Sequence, residues 1–324
     1  MLLAGDIGAT NCRLAFFDEN LTVVNKSFYK CKDYKNFEEV VSNFISSYDY
    51  HIEKACFGIP GPIKDGRCKL TNVTWTIDSQ LLAQVTNSSV ALLNDVEANA
   101  YGLETLQNDE LVTLNEATPL PGGNRAIVAV GTSVGEAALI NVNGQMHGIA
   151  SEGGHRDFGP FNELQWELLR YTQRQYQRVS YEVLLGGQGL IQIYNFLRDS
   201  GYGVTPAWLA QEMKTGDKAA AIANAALKNK CELCAQAMDL FISILAAQAG
   251  NVAVTFTATG GVYLGGGIPP RIVEKLRSSM FLENFINKDK MRDFLQSIPV
   301  YIILNDQAAL QGAAWYAQNN LAKS

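Results

Sequence analysis

The chain has 324 residues, 47% of them hydrophobic, which excludes a disordered chain and leaves room for one large domain or two. Its 26 basic and 32 acidic residues give a net charge of −6 without blocks of one sign, which argues against nucleic acid or an anionic membrane as partner. The six cysteines (Cys12, Cys31, Cys56, Cys68, Cys231 and Cys234) are too few and too scattered for a disulfide framework. Cys231 and Cys234 form a CxxC inside a helically periodic stretch that lacks the further ligands of a structural zinc site, so a structural role is expected. Nothing reads as a signal peptide, and no uninterrupted apolar run reaches the roughly 18 residues of a membrane span, so the expected compartment is the cytoplasm.

In chain order, MLLAGD, CRLAFF and LTVVNKSFY read as three strands separated by turns. NFEEVVSNFISSY follows as a helix, with Phe37, Val40, Val41, Phe44 and Ile45 on one face and Asn36 with Glu39 at its start. KACFGIPG and VALLND read as buried strands, and EANAYGLETL as a helix. From about residue 106 the pattern is written again: RAIVAVGTSVGEAALINVNGQMHGIA gives strand, glycine-bearing turn, strand, hairpin and strand, with Asn143-Gly144 as a type I′ signal. The stretch from about 155 to 250 reads as mostly helical. FTATGGVYLGGGIPPR then supplies a strand between glycines, and VYIILNDQAALQGAAWYAQNN a strand and a small-residue helix. Strands alternating with helices, written twice, predict two α/β domains facing each other across a cleft.

The glycine-bearing turns GDIGATN and GTSVGEA and the glycines at 260–267 have two uses: tight turns, or exposed backbone N–H groups that bind anions. Neither GxxxxGK[ST] nor a GxGxxG opening a helix is present, which disfavours a P-loop and a dinucleotide fold. Asn94-Asp95 closes a buried strand, where α/β folds place ligands, although Asp95 serves equally well to start the next helix. SEGGHRDFGP gathers Glu152, His155 and Asp157 around two glycines, a hydrogen-bonding set for a polyhydroxylated ligand. In VSYEVLLGGQGL, Glu182 sits in a helix expected to start at Val179-Ser180 and end at Gly186-Gly187.

Taken in order, GDIGATNCRLA, GIPGPI, LTNVTW, LLND, GTSVGEA, SEGGHRDF, VSYEVLLGGQGL, FTATGGVYLGGGIPPR and ALQGAA resemble the bacterial glucokinase family of the hexokinase, actin and heat-shock ATPase superfamily. The resemblance implies an α/β fold of two actin-like (ribonuclease H-like) domains, residues 1–105 with 305–324 and residues 106–304, with ATP in the cleft between duplicated β-turn-β phosphate loops. It implies ATP-dependent phosphorylation of glucose at the 6-hydroxyl, with Asp95 as the base and Asn94, Asp95, Glu152, His155 and Glu182 holding the sugar. Gly5, Asp6, Gly8, Ala9, Thr10 and Asn11 would form the first phosphate loop, Gly131 and Thr132 the second, and Gly260, Gly261, Gly265 and Gly266 the adenosine segment. Asp6 would face Mg²⁺ through water, and a homodimer working in glycolysis is expected. Ala9, Ser133 and Val96 depart from the family pattern, which usually has glycine, glycine and phenylalanine there. The alternatives are a ROK-type kinase for another hexose or amino sugar, and a sugar-binding pseudokinase or regulator.

Overall fold

The computed structural model describes residues 1–8, 10–70 and 73–322. Strands β1 (Leu2–Ile7), β2 (Asn11–Phe17), β3 (Val23–Lys30), β4 (Lys54–Ile59) and β7 (Ser89–Asn94) form a sheet in the order β3-β2-β1-β4-β7, while β5 (Arg67–Lys69) and β6 (Thr76–Asp78) make a small separate hairpin. Strands β8 (Leu111–Asn115), β9 (Arg125–Val130), β10 (Val134–Val142), β11 (Gln145–Ser151), β12 (Gly261–Gly265) and β13 (Val300–Ile303) form a second sheet in the order β11-β10-β9-β12-β13-β8. In each sheet three antiparallel strands lead into two parallel ones, so the repetition in the sequence is a repetition of topology. Strand β8 is an added antiparallel edge on the second copy.

The helices follow local rules. Helix α1 (Phe37–Ile45) starts where Asn36 Oδ1 accepts from the Glu39 N–H at 2.9 Å, and it buries Phe37, Val40, Val41 and Phe44. Helix α2 (Ser79–Thr86) is capped by Asp78 in the same way. In the β10–β11 hairpin, Asn143 (φ 54°) and Gly144 (φ 86°) adopt the left-handed pair that a type I′ turn needs.

Two helices lie between the sheets: α3 (Asp95–Gly102), and the C-terminal helix numbered below as α13 (Ala308–Asn320). Their small residues share one apolar layer with Ala4, Ala15 and Cys56 of the first sheet and Ile127, Ala137 and Leu139 of the second. At the crossing of α3 and α13 the backbones touch. A methyl group on Gly312 would stand 1.8 Å from the Ala98 carbonyl oxygen, and one on Gly102 would stand 2.2 Å from that of Ala308.

The outer face of the second sheet is covered by α4 (Glu163–Thr172), α5 (Tyr181–Leu184), α6 (Gly187–Asp199), α7 (Ala207–Thr215), α8 (Lys218–Leu227) and α9 (Glu232–Phe256). Three short helices, α10 (Val273–Leu276), α11 (Ser279–Phe285) and α12 (Arg292–Gln296), precede β13 and α13. Helix α9 is long and apolar enough to cross a membrane by composition, with mean hydropathy 1.5 over 18 residues, yet 83% of that window is buried within the fold. The sequence did not read as a span because polar residues interrupt the run. Those residues are satisfied internally: Ser243 accepts from Gln165 Nε2 at 3.2 Å. Cys231 and Cys234 are buried at the start of α9, as part of the core.

Candidate active site

At the centre and one side of the first sheet, β1, β4 and β7 run parallel and so end together. Asp6 lies near the end of β1 and Asp95 directly follows β7, so adjacent-strand spacing puts them about 10 Å apart with β4 between. Asn94, not Asp95, caps α3: its Oδ1 accepts from the N–H groups of Val96 (3.0 Å) and Glu97 (3.3 Å), and Glu97 completes the capping box. Asp95 therefore occupies the first helical position and its carboxylate is not used as the cap. It accepts from the Val96 N–H at 2.9 Å. Burial raises its pKa to about 6, against the lowering effect of that N–H, and the Asp6 and Glu152 carboxylates push it up further. Their action on Asp95 places Asp6 and Glu152, drawn from distant segments, within electrostatic range of its carboxylate.

Burial also raises the pKa of Asp6, and the nearby Arg13 opposes that shift. Arg13 gives its Nη1 to the Asp306 carbonyl oxygen (2.7 Å) and approaches the Asp306 carboxylate at 3.5 Å, so its charge is shared away from Asp6. A buried carboxylate left short of positive charge suits a hydrated divalent cation. Arg13 and Asp306 were missed by sequence reasoning. Only the pairing of β2 with β1 and the return of α13 bring them beside Asp6.

In the first loop, the Gly8 N–H donates to the Asn11 carbonyl (2.8 Å), and the Thr10 carbonyl accepts from the Cys31 N–H (2.9 Å), leaving the Thr10 and Asn11 side chains exposed. Ala9 lies outside the described residues, as do Thr71 and Asn72 of LTNVTW. Gly5 is a packing residue, since a methyl group there would stand 2.6 Å from the Phe57 ring and 2.8 Å from Leu14.

The second loop leaves β9 at Gly131, where the N–H bonds the Ser133 carbonyl (2.9 Å) and the carbonyl accepts from the Gly187 N–H (3.1 Å). Gly186, at φ 102°, fits beneath Thr132 because a side chain there would meet the Thr132 carbonyl at 2.7 Å. The single turn α5 ends at Leu184, short of the Gly186-Gly187 expected from the sequence, and these two glycines instead open α6 under the loop. Val96 packs its methyl groups over Gly135 at the start of β10, so this departure from the family pattern fills space between α3 and the second sheet.

Glu152 and His155 lie exposed on the short turn after β11. Beneath it sits Glu136, 1% exposed, held by Arg156 Nη2 on one side and Gln248 Nε2 on the other. Arg156 Nε also donates to the Gly153 carbonyl at 3.1 Å. Gly153 is required because a methyl group would stand 2.2 Å from the Glu136 carboxylate. Glu182 ties the same region to the second loop by accepting from the Val134 N–H at 3.0 Å. Glu136 was overlooked in GTSVGEA, where it reads as one polar residue in an apolar strand.

Gly265 and Gly266 end β12 beside this loop, Gly266 at φ 84° against the Val130 backbone. Gly260 and Gly261 do not join them. They start β12, about 13 Å away along the strand. There the Gly260 N–H bonds the Asn124 carbonyl (2.8 Å), and Gly261 turns at φ 120°. This pair is shaped by backbone crowding at the opposite end of the strand from Gly265 and Gly266.

Two like-folded units, a pair of glycine-bearing loops and a carboxylate cluster define a sugar kinase of the actin-like ATPase fold. The glucokinase family model matches residues 3–320, and the chain belongs to that family. It is 39% identical to the glucokinase of Nostoc sp. (strain PCC 7120 / SAG 25.82 / UTEX 2576), covering 97% of this chain and 98% of that protein. The crystal structure of a glucokinase from an Antarctic psychrotroph superposes with a TM-score of 0.85 at 28% identity, covering 98% and 99% of the two chains. A ROK family glucokinase from Streptomyces griseus, crystallised with glucose and AMPPNP, shares the fold with a TM-score of 0.64 at 18% identity, covering 98% and 99%.

Proposed function

We propose that this glucokinase transfers the γ-phosphoryl group of ATP to O6 of glucose by direct in-line attack, with Asp95 as the base. The observation that carries the assignment of Asp95 is its freedom: Asn94 does the capping, and the Asp95 carboxylate is left in the cleft with its pKa raised to about 6. A carboxylate there orients the attacking hydroxyl and accepts its proton as phosphoryl transfer proceeds. Glu152, His155, Glu182 and the Asn94 amide are the groups we assign to the sugar hydroxyls. Such a site rejects isomers because a misplaced hydroxyl leaves polar groups unpaired. The first loop and the Gly131-Thr132 and Gly265-Gly266 turns are assigned to the nucleotide. Asp6 would hold Mg²⁺ through water, and the ion would supply charge neutralisation between the phosphates. A coupled assay over a hexose panel tests the substrate: glucose is expected to lead, and clear preference for mannose or an amino sugar would sink that choice.

The Glu136–Arg156 pair sets the position of the sugar turn. Arg156→Met is expected to raise the glucose KM about tenfold, equivalent to about 1.4 kcal/mol, with kcat changed much less. A fall in kcat at unchanged KM would place Arg156 in the chemical step instead.

The proposed division at residues 105/106 and 304/305 is supported by the two separate sheets, and Asn305 Nδ2 links the units by donating to Glu110 Oε1 (2.6 Å) as well as to Gln311 Oε1 (2.9 Å). We also infer a homodimer, supported by exposed Phe161 and Trp166 near the start of α4, Tyr202 and Val204 between α6 and α7, and Trp208 in the first turn of α7. Tyr202 donates to Glu167 at 2.8 Å and so joins the two groups. Sedimentation as a single 35.4 kDa species would contradict it. All six cysteines are free, which suits a reducing cytoplasm, where glucose 6-phosphate would enter glycolysis.

A further inference from the structure

A concavity of about 830 Å³ lies wholly within the unit built on the second sheet, between the segment after the sugar turn, the C-terminal turns of α9 and the 287–291 turn. None of the groups assigned above to glucose, nucleotide or Mg²⁺ lines it. Its chemical character is set by Lys288, whose stem passes over Gly250 of α9, where a methyl group would stand 3.4 Å from Lys288 Cε. The ammonium donates to Asn251 Oδ1 at 2.5 Å, and among the described residues no carboxylate lies within 4.0 Å of it. Burial lowers its pKa, with no carboxylate opposing the shift. The neighbouring charges are already committed or open to water: Asp157 is paired with Arg178, Arg156 with Glu136, and Asp289 and Lys290 are exposed. A half-buried cation with one acceptor for its three N–H groups is an unfinished site. Thr255 and Asn287 add polar groups along the same wall.

We propose that this groove binds a small phosphorylated polyol, its anionic group on Lys288 and its hydroxyls on the surrounding amide and hydroxyl side chains. Occupancy has a route to the active site. Asn251 Nδ2 also donates to Gln248 Oε1 (2.9 Å) and to Tyr181 Oη (3.0 Å). Gln248 holds Glu136 beneath the sugar turn, and Tyr181 precedes Glu182. A ligand that draws Lys288 from Asn251 therefore acts on the support of the sugar turn, and the glucose KM is expected to change when the groove fills.

The test is calorimetric titration of the full chain, with glucose and a non-hydrolysable ATP analogue present, using glucose 6-phosphate, inorganic phosphate and gluconate as separate probes. Glucose 6-phosphate is expected to bind once per chain and at least about tenfold more weakly to Lys288→Gln, with Lys288→Arg retaining binding. Phosphate or gluconate binding as tightly as the sugar ester would overturn the phosphorylated-polyol assignment. Equal affinity of wild type and Lys288→Gln for glucose 6-phosphate, or no binding by any probe, would overturn the site. Because the readout is binding, its failure is separable from failure of the kinase assignment.

Discussion

Asp95→Asn is expected to lower kcat by about 10²–10⁴-fold, the range for loss of a positioned general base, while glucose affinity stays within a few-fold. The amide keeps the size of the side chain and can still hold a hydroxyl, but it cannot take the proton. The pH profile gives an independent check. A base raised to about 6 must be ionised to work, so wild-type kcat/KM for glucose should fall tenfold per unit below that pH, and the residual activity of the variant should lack this limb. Linkage makes the stability change opposite in sign to the activity change. The native state holds the Asp95 proton up to about pH 6, whereas the unfolded chain releases it near the ordinary aspartate value of 3.8. Stability of the ligand-free protein therefore falls as pH rises through that window. The variant should be more stable by about 2–3 kcal/mol at pH 8 and gain nothing below pH 4. Unchanged turnover in Asp95→Asn would end its assignment as the base.

Gly312→Ala is expected to be the most damaging single methyl group in the molecule. It would be driven to 1.8 Å from the Ala98 carbonyl oxygen and 2.4 Å from the Gly102 nitrogen, both backbone atoms of α3 with no rotamer to yield. The helices must separate, at a cost of about 3 kcal/mol, which for a chain of this size lowers the thermal midpoint by about 4–5 °C. Because Asp95 begins α3, the same displacement moves the carboxylate assigned as the base, so kcat should fall although Gly312 is far from it in sequence. A normal melting curve with normal kcat would mean that α3 and α13 do not meet at these glycines.

Much of the fold was legible because the strands that carry it are local apolar runs, and the two copies share the same order of strand, glycine turn and strand. The pairing of Asp6, Asp95 and Glu152 was legible only through the family resemblance, since nothing in their spacing brings three separate segments to one cleft. Three things were hidden for physical reasons. The glycines at 260–261 and at 265–266 look alike in sequence, yet one pair serves backbone crowding at the start of a strand and the other lies at the cleft end. Glu136 is a charge in an apolar strand, and its value depends on Arg156 and Gln248, which arrive from 20 and 112 residues away. The division of labour between Asn94 and Asp95 rests on one torsional choice at the start of α3, which composition does not reveal.

The measurement that bears most directly on the account is ³¹P NMR of the protein incubated with glucose and Mg-ATP. The expected result is glucose 6-phosphate formed in step with ADP, with no free phosphate. ATP hydrolysed without a sugar ester, an ester at another hydroxyl, or no turnover at all would contradict it.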